Sequence, residues 1–588
     1  QMCIRDSWGA DQDVVRMFAH TAPKAIRELA AWGVPWSRVR SGEHTITEDG
    51  RQRTVQEPAA AHGLITSRNF GGTAKWRACY VSDGTGHAML YTMSNQAIAA
   101  GIPVHERMEA IALIHDGERC CGAVVRSLVD GRLLAYLARA TCIASGGFGR
   151  IYRVSTNAVI NEGMGAAIAL ETGVATLGNM EAVQFHPTGI FPAGILVTEG
   201  CRGDGGLLLD GAEHRFMPDY EPEKKELASR DVVSRRMEEH IKAGHGARGR
   251  FGEHLWLDIR LLGEAHINGQ LREVKEICKY VLGIDPAHSL IPVRPAQHYS
   301  MGGIRTDAHC HSQRLRGLFA VGESACWDMH GFNRLGGNSV AETVVAGMIA
   351  GETIADFCDS PDGQLNISTA LARDAVTAQA LQLRQLAGSK GSENAVELVR
   401  AMQETMTAQV GIFRDGESLD QAVATLSDLQ QRARLIRLGS SAPGPNPDLV
   451  AAYRLPRMLM LALCVACGAQ QRTESRGAHY RADFPHRDDS QWLSRTLASW
   501  PDPGDELPTL EYEPLDVMRM ELPPGWRGYG ARDFIEHPDT SLRQAQIEKL
   551  LTDARGADAT ARQELLMPFR HLLPPGLRGT NQRLGDDP

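Results

Sequence analysis

The sequence lacks an excess of basic charge. Its 588 residues carry a formal net charge of −9, so no global positive field recruits nucleic acid or anionic lipid. It also lacks a long apolar run. The longest, MLMLALCVACGA from Met458 to Ala469, is too short to cross a bilayer, so any membrane role is expected to run through a partner. Its 12 cysteines are scattered, as suits reduced thiols in a cytoplasmic protein, and none cluster as an iron–sulfur centre requires. Cys464 and Cys467 form a CxxC inside an apolar helical run and read as core packing. The HCH string at His309–His311 has no distant fourth ligand and is a weak metal signal. Neither a signal peptide nor an internal repeat is visible. The opening QMCIRDS joins poorly to the helix that follows and reads as a non-native scar.

Glycine is what the chain has in quantity, 60 residues in all. Many sit in strings such as SGGFGR, NEGMG, YSMGG and RLGGNS, where the backbone can approach an extended ligand closely. Around them the composition is that of a globular protein, 43% hydrophobic and 23% charged. Val15, Phe18, Ala22, Ile26 and Leu29 recur at helical spacing between Asp11 and Trp32, and Gly33 ends the run. RATCIASGGFG (139–149) and LRGLFAVGESA (315–325) each read as a buried strand ending in a glycine turn. Strand, glycine turn and helix predict an α/β fold with a parallel nucleotide-binding sheet, ligands lying at the carboxyl ends of its strands. A charged insertion spans roughly 189–294. Helices follow near 365–480, broken by GSSAPGPNPD, and then a proline- and turn-rich end.

Several short strings carry candidate chemistry. TEGCRGDGG sets Thr198, Glu199 and Arg202 within five residues, with Glu199 and Arg202 three apart and able to meet on one helical turn. SRDVVSRRM places Arg230 on the same helical face as Val233, Ser234 and Met237, where a guanidinium needs a partner; Glu199 is the candidate. QFHPT brings Gln184 and His186, and QHYSMGG brings His298. With Arg230, Arg334 and Thr198 they describe a pocket of cations and donors suited to a small dicarboxylate, which arginine holds in two-point geometry. HGFNRLGGNSV opens a helix running to about Cys358. Gly337 leaves room for a diphosphate or flavin, and Asn338 or Ser339 is expected to cap the helix ahead of Val340. Gly146 and Gly147 end the first strand, and Glu323 the second, where it can accept hydrogen bonds from cofactor hydroxyls.

QFHPT, TEGCRGDGG, ASRDVVSRRM, QHYSMGGIRTD, AVGESACWDMHGFNRLGGNSV and ESRGAHYRADFPHRDDSQWL occur here in the order of a known family. The chain closely resembles, from about Trp8 onward, the flavoprotein subunit of the succinate dehydrogenase/fumarate reductase family. DMHGFNRLGGNS and VGIFRDG look most like quinol:fumarate reductases paired with a dihaem cytochrome b. The resemblance implies a Rossmann-like FAD-binding domain (8–188 and 295–364), a mobile capping domain (189–294), a helical domain (365–482) and a C-terminal domain (483–588). It implies that fumarate lies against the flavin, with carboxylate contacts from His186, Thr198, His298 and Arg334 and with Phe70 lining the site. Arg230 is the implied proton donor, and Glu199 and Arg202 the relay that reloads it.

The implied partners are an iron–sulfur subunit and, through it, a membrane cytochrome b, on the cytoplasmic face of the inner membrane. The family's GxGxxG unit and flavin-linking histidine have no counterpart here and are expected upstream of residue 8; His44 lacks the glycine pair that should follow. Met164 stands where many relatives have aspartate. A soluble L-aspartate oxidase-like enzyme and a flavin-free scaffold are the alternatives.

Overall fold

A computed structural model describes residues 9–48, 51–68, 77–364, 369–440, 442 and 444–515, with scattered positions between 545 and 561. Phe70 lies outside the described residues, as does the side chain of His44. The first helix, Gln12–Ala31, is capped by Asp11, whose carboxylate accepts the N–H groups of Asp13 and Val14. It packs Val14 and Phe18 into the main core. The expected strands are short: Thr141–Ile143 and Leu318–Ala320 pair in parallel. Glycine turns at Gly146 (φ +76°) and Gly322 (φ +61°) follow them immediately. The class is α/β as the sequence implies, but most strand pairs among the described residues are antiparallel.

A second core is built wholly from residues between Ile190 and Val293, including Leu208, Phe216, Val233, Met237 and Leu257. Its sheet is antiparallel, ordered Val183–Ile190, Ile291–Ser300, Gly252–Asp258, Leu207–Leu209. The two outer ends of the insertion, 183–190 and 291–300, are therefore hydrogen-bonded neighbours. That adjacency lets a hundred residues leave and re-enter the fold at one place.

Helices Thr369–Ala387, Ala395–Gln409, Gly416–Ala433 and Pro447–Gln471 fill the next stretch. The last corrects the reading of its apolar run as too short. It is 25 residues long and contains an 18-residue window of mean hydropathy 1.6, sufficient by length and composition to cross a membrane, yet 72% of that window is buried inside the protein. It is a core helix, and Cys464 and Cys467 are core atoms within it, their thiols pushed up by burial. In the HCH string, Cys310 is buried, and His311 stacks on Phe319 at 4.6 Å while accepting the Gly317 N–H. Those contacts are structural.

The strands Ser494–Ser499 and Thr509–Pro514 extend a sheet begun by Leu177–Gly178 and Gly303–Arg305. Arg472 locks this junction. Fully buried, it donates to Glu181 Oε1 (2.8 Å), Glu474 Oε1 (3.0 Å), the carbonyls of Trp492 (3.0 Å) and Ser494 (2.8 Å), and Thr496 Oγ1 (3.0 Å). All five N–H groups of a guanidinium are thus used. Glu181 lies two residues before the strand that carries His186. Replacing Arg472 by leucine strands a buried carboxylate and is expected to lower stability by about 3–5 kcal/mol. The denaturant midpoint should fall at unchanged slope; a loss below about 1 kcal/mol would show that the network contributes little beyond packing.

Candidate functional site

The site begins with an irregularity between two strands. Val183–Ile190 and Ile291–Ser300 pair with shifts in register at Gln184/Phe185 and between His186 and Gly189. At the first shift His298 is the extra residue between Gln297, opposite Phe185, and Tyr299, opposite Gln184. A bulge re-aims the side chain it carries. Here it brings the His298 ring to 4.8 Å from that of His186, centroid to centroid.

The hydrogen bonds fix which nitrogen of each ring holds the proton. The Thr188 N–H donates to His186 Nδ1 (3.2 Å), and the Thr188 hydroxyl is spent on the Val197 carbonyl (2.9 Å). His186 Nδ1 is therefore an acceptor, and Nε2–H is a buried donor with no partner among the described residues. For His298, Arg230 Nη1 approaches Nε2 (3.4 Å), and guanidinium only donates. Its proton sits on Nδ1, facing Thr156 Oγ1 at 2.7 Å. Both imidazoles are held well below their ordinary value, by burial first. His298 and Arg230 then add to the effect on His186, and Arg334 and Arg230 to that on His298.

TEGCRGDGG folds as a single helical turn, Gly200–Gly203, with Glu199 at its N-cap position. The helix Arg230–His240 starts opposite it. Arg230 donates from Nε (2.7 Å) and Nη2 (2.5 Å) to Glu199 Oε2, the pairing expected from sequence. Burial pushes the Glu199 carboxyl up, but Arg230 and Arg202 together hold it below its usual range. Arg202 is buried with Nη1 on the Glu226 carbonyl at 2.5 Å. It makes no hydrogen bond to Glu199. Instead Arg202 Nε and Nη2 and Glu199 Oε1 are all buried without a partner among the described residues. On so short a turn the three-residue spacing brings their charges near without bringing their atoms into contact.

Arg334 is buried, its guanidinium 4.6 Å above the Tyr299 ring. Burial and then Arg230 lower its pKa to about 9, so it stays cationic at neutral pH. Gln184 donates to Asn333 Oδ1 (2.7 Å) and to the Arg334 carbonyl (2.8 Å). Its role is to hold the loop that presents Arg334. Thr198 Oγ1 accepts the Gly200 N–H at 3.2 Å, leaving its hydroxyl proton available.

The expected cofactor residues converge on the ends of the parallel strands. Gly147 is buried, and a Cβ there would lie 2.5 Å from Glu323 Oε1. Glu323 Oε1 accepts the Ser300 N–H (2.9 Å), and burial pushes its carboxyl up to about 7. Its second oxygen has no hydrogen bond among the described residues and can accept from a hydroxyl. The helix Asn338–Asp359 has Gly337 at its N-cap (φ 80°) and no side-chain cap. This corrects the expectation that Asn338 or Ser339 caps it: a left-handed cap position suits glycine, and Asn338 faces inward to accept from Arg77 (2.8 Å). The first-turn N–H groups, with Ser339 half-buried and Val340 exposed, remain an anion-binding end. A glycine cradle, an acceptor carboxylate and an uncapped helix start fit an extended dinucleotide such as FAD.

Arg77 is the residue that motif reading missed. It bridges Asn338 and the Gly336 carbonyl (2.9 Å), and its charge is felt by Arg230 and Glu199. Thr156 and Asn157, which orient His298, were also missed, because a bulge partner leaves no periodic signal.

Fold and site define a flavin-binding α/β oxidoreductase with a cationic pocket beside the cofactor cradle. Residues 4–340 match the FAD binding domain family, and residues 399–529 match the fumarate reductase flavoprotein C-terminal family. The chain is 49% identical to the fumarate reductase flavoprotein subunit of Helicobacter pylori (strain ATCC 700392 / 26695), over 99% of this chain and 85% of that protein. It is 35% identical to the succinate dehydrogenase flavoprotein subunit of Rickettsia bellii, over 89% and 86% of the two chains. A solved Escherichia coli quinol fumarate reductase flavoprotein superposes with a TM-score of 0.81 at 34% identity, over 90% of this chain and 88% of that one. The chain belongs to the fumarate reductase flavoprotein subunit family.

The depressed imidazoles have a consequence for stability. His186, His298 and His479 stay neutral in the folded state well below pH 6.5, whereas in the unfolded chain they take up protons near that pH. Stability present above pH 6.5 is therefore lost as pH falls, by about 1.4 kcal/mol per histidine per pH unit. Denaturant midpoints measured from pH 7.5 to 5.5 should drop, and less steeply in His186→Asn. An unchanged slope in that variant would show that His186 is not held neutral.

Proposed function

We propose that the protein is the catalytic flavoprotein subunit of a quinol:fumarate reductase, reducing fumarate to succinate and able to run in reverse as a succinate dehydrogenase. The observation that carries this reading is the charge and proton inventory of the pocket. Three guanidiniums (Arg202, Arg230, Arg334) act on one carboxylate (Glu199), with Arg77 coupled to it as well, and buried donors on His186, Arg202 and Arg334 have no partner among the described residues. A small dianion supplies what is missing.

Bound FAD supplies a hydride to one alkene carbon of the substrate. The rest of the work belongs to the chain. Arg334 is proposed to hold one carboxylate in two-point geometry, while His186 Nε2–H and the Thr198 hydroxyl donate to the other. Arg230 is the proposed proton donor to the second carbon. Its Nε and Nη2 are fixed on Glu199 Oε2, which leaves Nη1, on the His298 side, to face a bound carbon. One hydride and one proton convert the double bond to a saturated bond, and the proton lost from Arg230 returns through Glu199. Oε1 of Glu199 has no hydrogen-bond partner among the described residues, and the charge of Arg202 acts on the carboxylate. The cofactor would be held by Gly146, Gly147, Glu323, Arg334 and the Gly337–Val340 helix start.

Residues 8–188 with 295–364 would form the flavin domain, 189–294 a cap with its own core, 365–482 a helical domain and 483–588 a C-terminal domain. Electrons are proposed to arrive from an iron–sulfur subunit docked on a membrane cytochrome b, which associates the protein with the cytoplasmic face of the inner membrane.

The test follows fumarate-dependent oxidation of a reduced viologen dye by the flavin-loaded chain. Arg230→Ala is expected to lose at least about 10²–10⁴-fold in turnover with FAD still bound. Oxygen-dependent oxidation of aspartate without fumarate turnover would replace this reading with an amino-acid oxidase.

A further inference from the structure

The insertion carries a second cluster of chemistry-bearing side chains that the reaction above does not use. Asp210 follows the strand Leu207–Leu209. Its Oδ1 accepts the N–H groups of Ala212 (2.8 Å) and His214 (2.9 Å), which turns Oδ2 towards His240 Nε2 at 3.3 Å. His240 ends the helix Arg230–His240, with its ring stacked between Phe216 (4.4 Å) and His245 (4.6 Å).

The backbone between the two histidines is unusual. It runs through a π-helical segment, Ile241–His245, with Gly244 at φ +87°. In an α-helix residues five apart lie about 140° apart around the axis, and their rings could not stack. The wide turn brings His245 over His240, and the Gly211 N–H fixes it by donating to the His245 carbonyl (2.8 Å). The ligand atoms of Asp210, His240 and His245 consequently all lie within 4.8 Å of one another.

We propose that Asp210, His240 and His245 form a binding site for a divalent transition ion of the zinc class. Two imidazoles and a carboxylate are borderline ligands that favour zinc, cobalt or nickel over magnesium or calcium, which prefer all-oxygen shells. Bonds of about 2.0–2.1 Å in tetrahedral geometry require ligand atoms about 3.3–3.5 Å apart. Asp210 and His240 already meet that spacing. His245 is exposed, and its ring nitrogens have no hydrogen-bond partner among the described residues, so it can close the remaining gap by rotation.

Tyr220 supplies the outer support. Its hydroxyl lies 3.0 Å from His240 Nδ1 and can accept that N–H, which directs the Nε2 lone pair to the site. A plain Asp–His hydrogen bond accounts for Asp210 and His240 but not for the π turn that adds His245. The ion would clip the end of the Arg230 helix to the strand Leu207–Leu209 and leave one coordination position for water.

The test is a titration of the full chain with Co²⁺, read by visible ligand-field absorption, and then competition with Zn²⁺. One ion per chain is expected, with tetrahedral intensity. His245→Ala should weaken binding at least about tenfold, and Tyr220→Phe about tenfold through its support of His240. His309→Ala, at an exposed histidine outside the cluster, should bind as the unaltered chain does. Thermal melting of each variant without metal verifies folding. Absence of saturable binding below about 100 µM, or equal affinity in His245→Ala, overturns the site.

Discussion

The site depends on one constraint: Glu199 is a single carboxylate set among the guanidiniums of Arg202, Arg230 and Arg334. Burying that much like charge is costly unless each cation is paired or finely positioned. Among the described residues Arg230 alone of the three is paired with a carboxylate, through two bonds to one oxygen. Arg202 is pinned by a backbone carbonyl and Arg334 is laid over an aromatic face. Neither contact neutralises a charge. On the proposed reading this excess of positive charge, to which Arg77 adds, is what an anionic substrate offsets.

Holding such a pocket open requires elements that do not move with one another's side chains. Glu199, Arg202 and Arg230 stand on the insertion, which has its own core. Arg334 and the cofactor cradle stand on the main fold. The strand pair that carries His186 and His298 is where the insertion leaves and returns, so it belongs to both. The anchors are polar and deep: Gln184 ties that pair to the Arg334 loop, and Arg472 ties the segment before it to the C-terminal hairpin. A contact also runs from the main fold to the insertion, where Asp83 accepts the Glu273 N–H at 2.7 Å.

Much of this was legible in the sequence because the relevant strings are short, local and chemically loaded. The Glu199–Arg230 pair followed from one buried guanidinium needing an acid. Glu323 and Gly147 followed from two strands with glycine ends. What could not be read depends on tertiary geometry. Arg77 reaches across 261 positions to Asn338, and no local pattern announces that. The bulge at His298 is set by its partner strand. The helix-cap error at Asn338 arose because residue preference ignores a neighbour that claims the side chain. The Arg202 contact was over-read because three-residue spacing guarantees proximity only within a longer helix.

The hydrogen bonds also bear on the choice of acid. From residue types alone a histidine is the natural proton donor near neutral pH. Yet His298 turns its lone pair, not its proton, towards Arg230, and commits its N–H to Thr156. His186 does present an N–H, but as a neutral ring whose cationic form is suppressed by burial and by nearby arginines. A neutral imidazole is a good hydrogen-bond donor and a poor acid. Burial first, and then the surrounding positive charge, disarms both histidines. On the proposed reading the proton comes from Arg230 instead. Free guanidinium resists deprotonation, but Arg230 has Glu199 at 2.5 Å to return the proton.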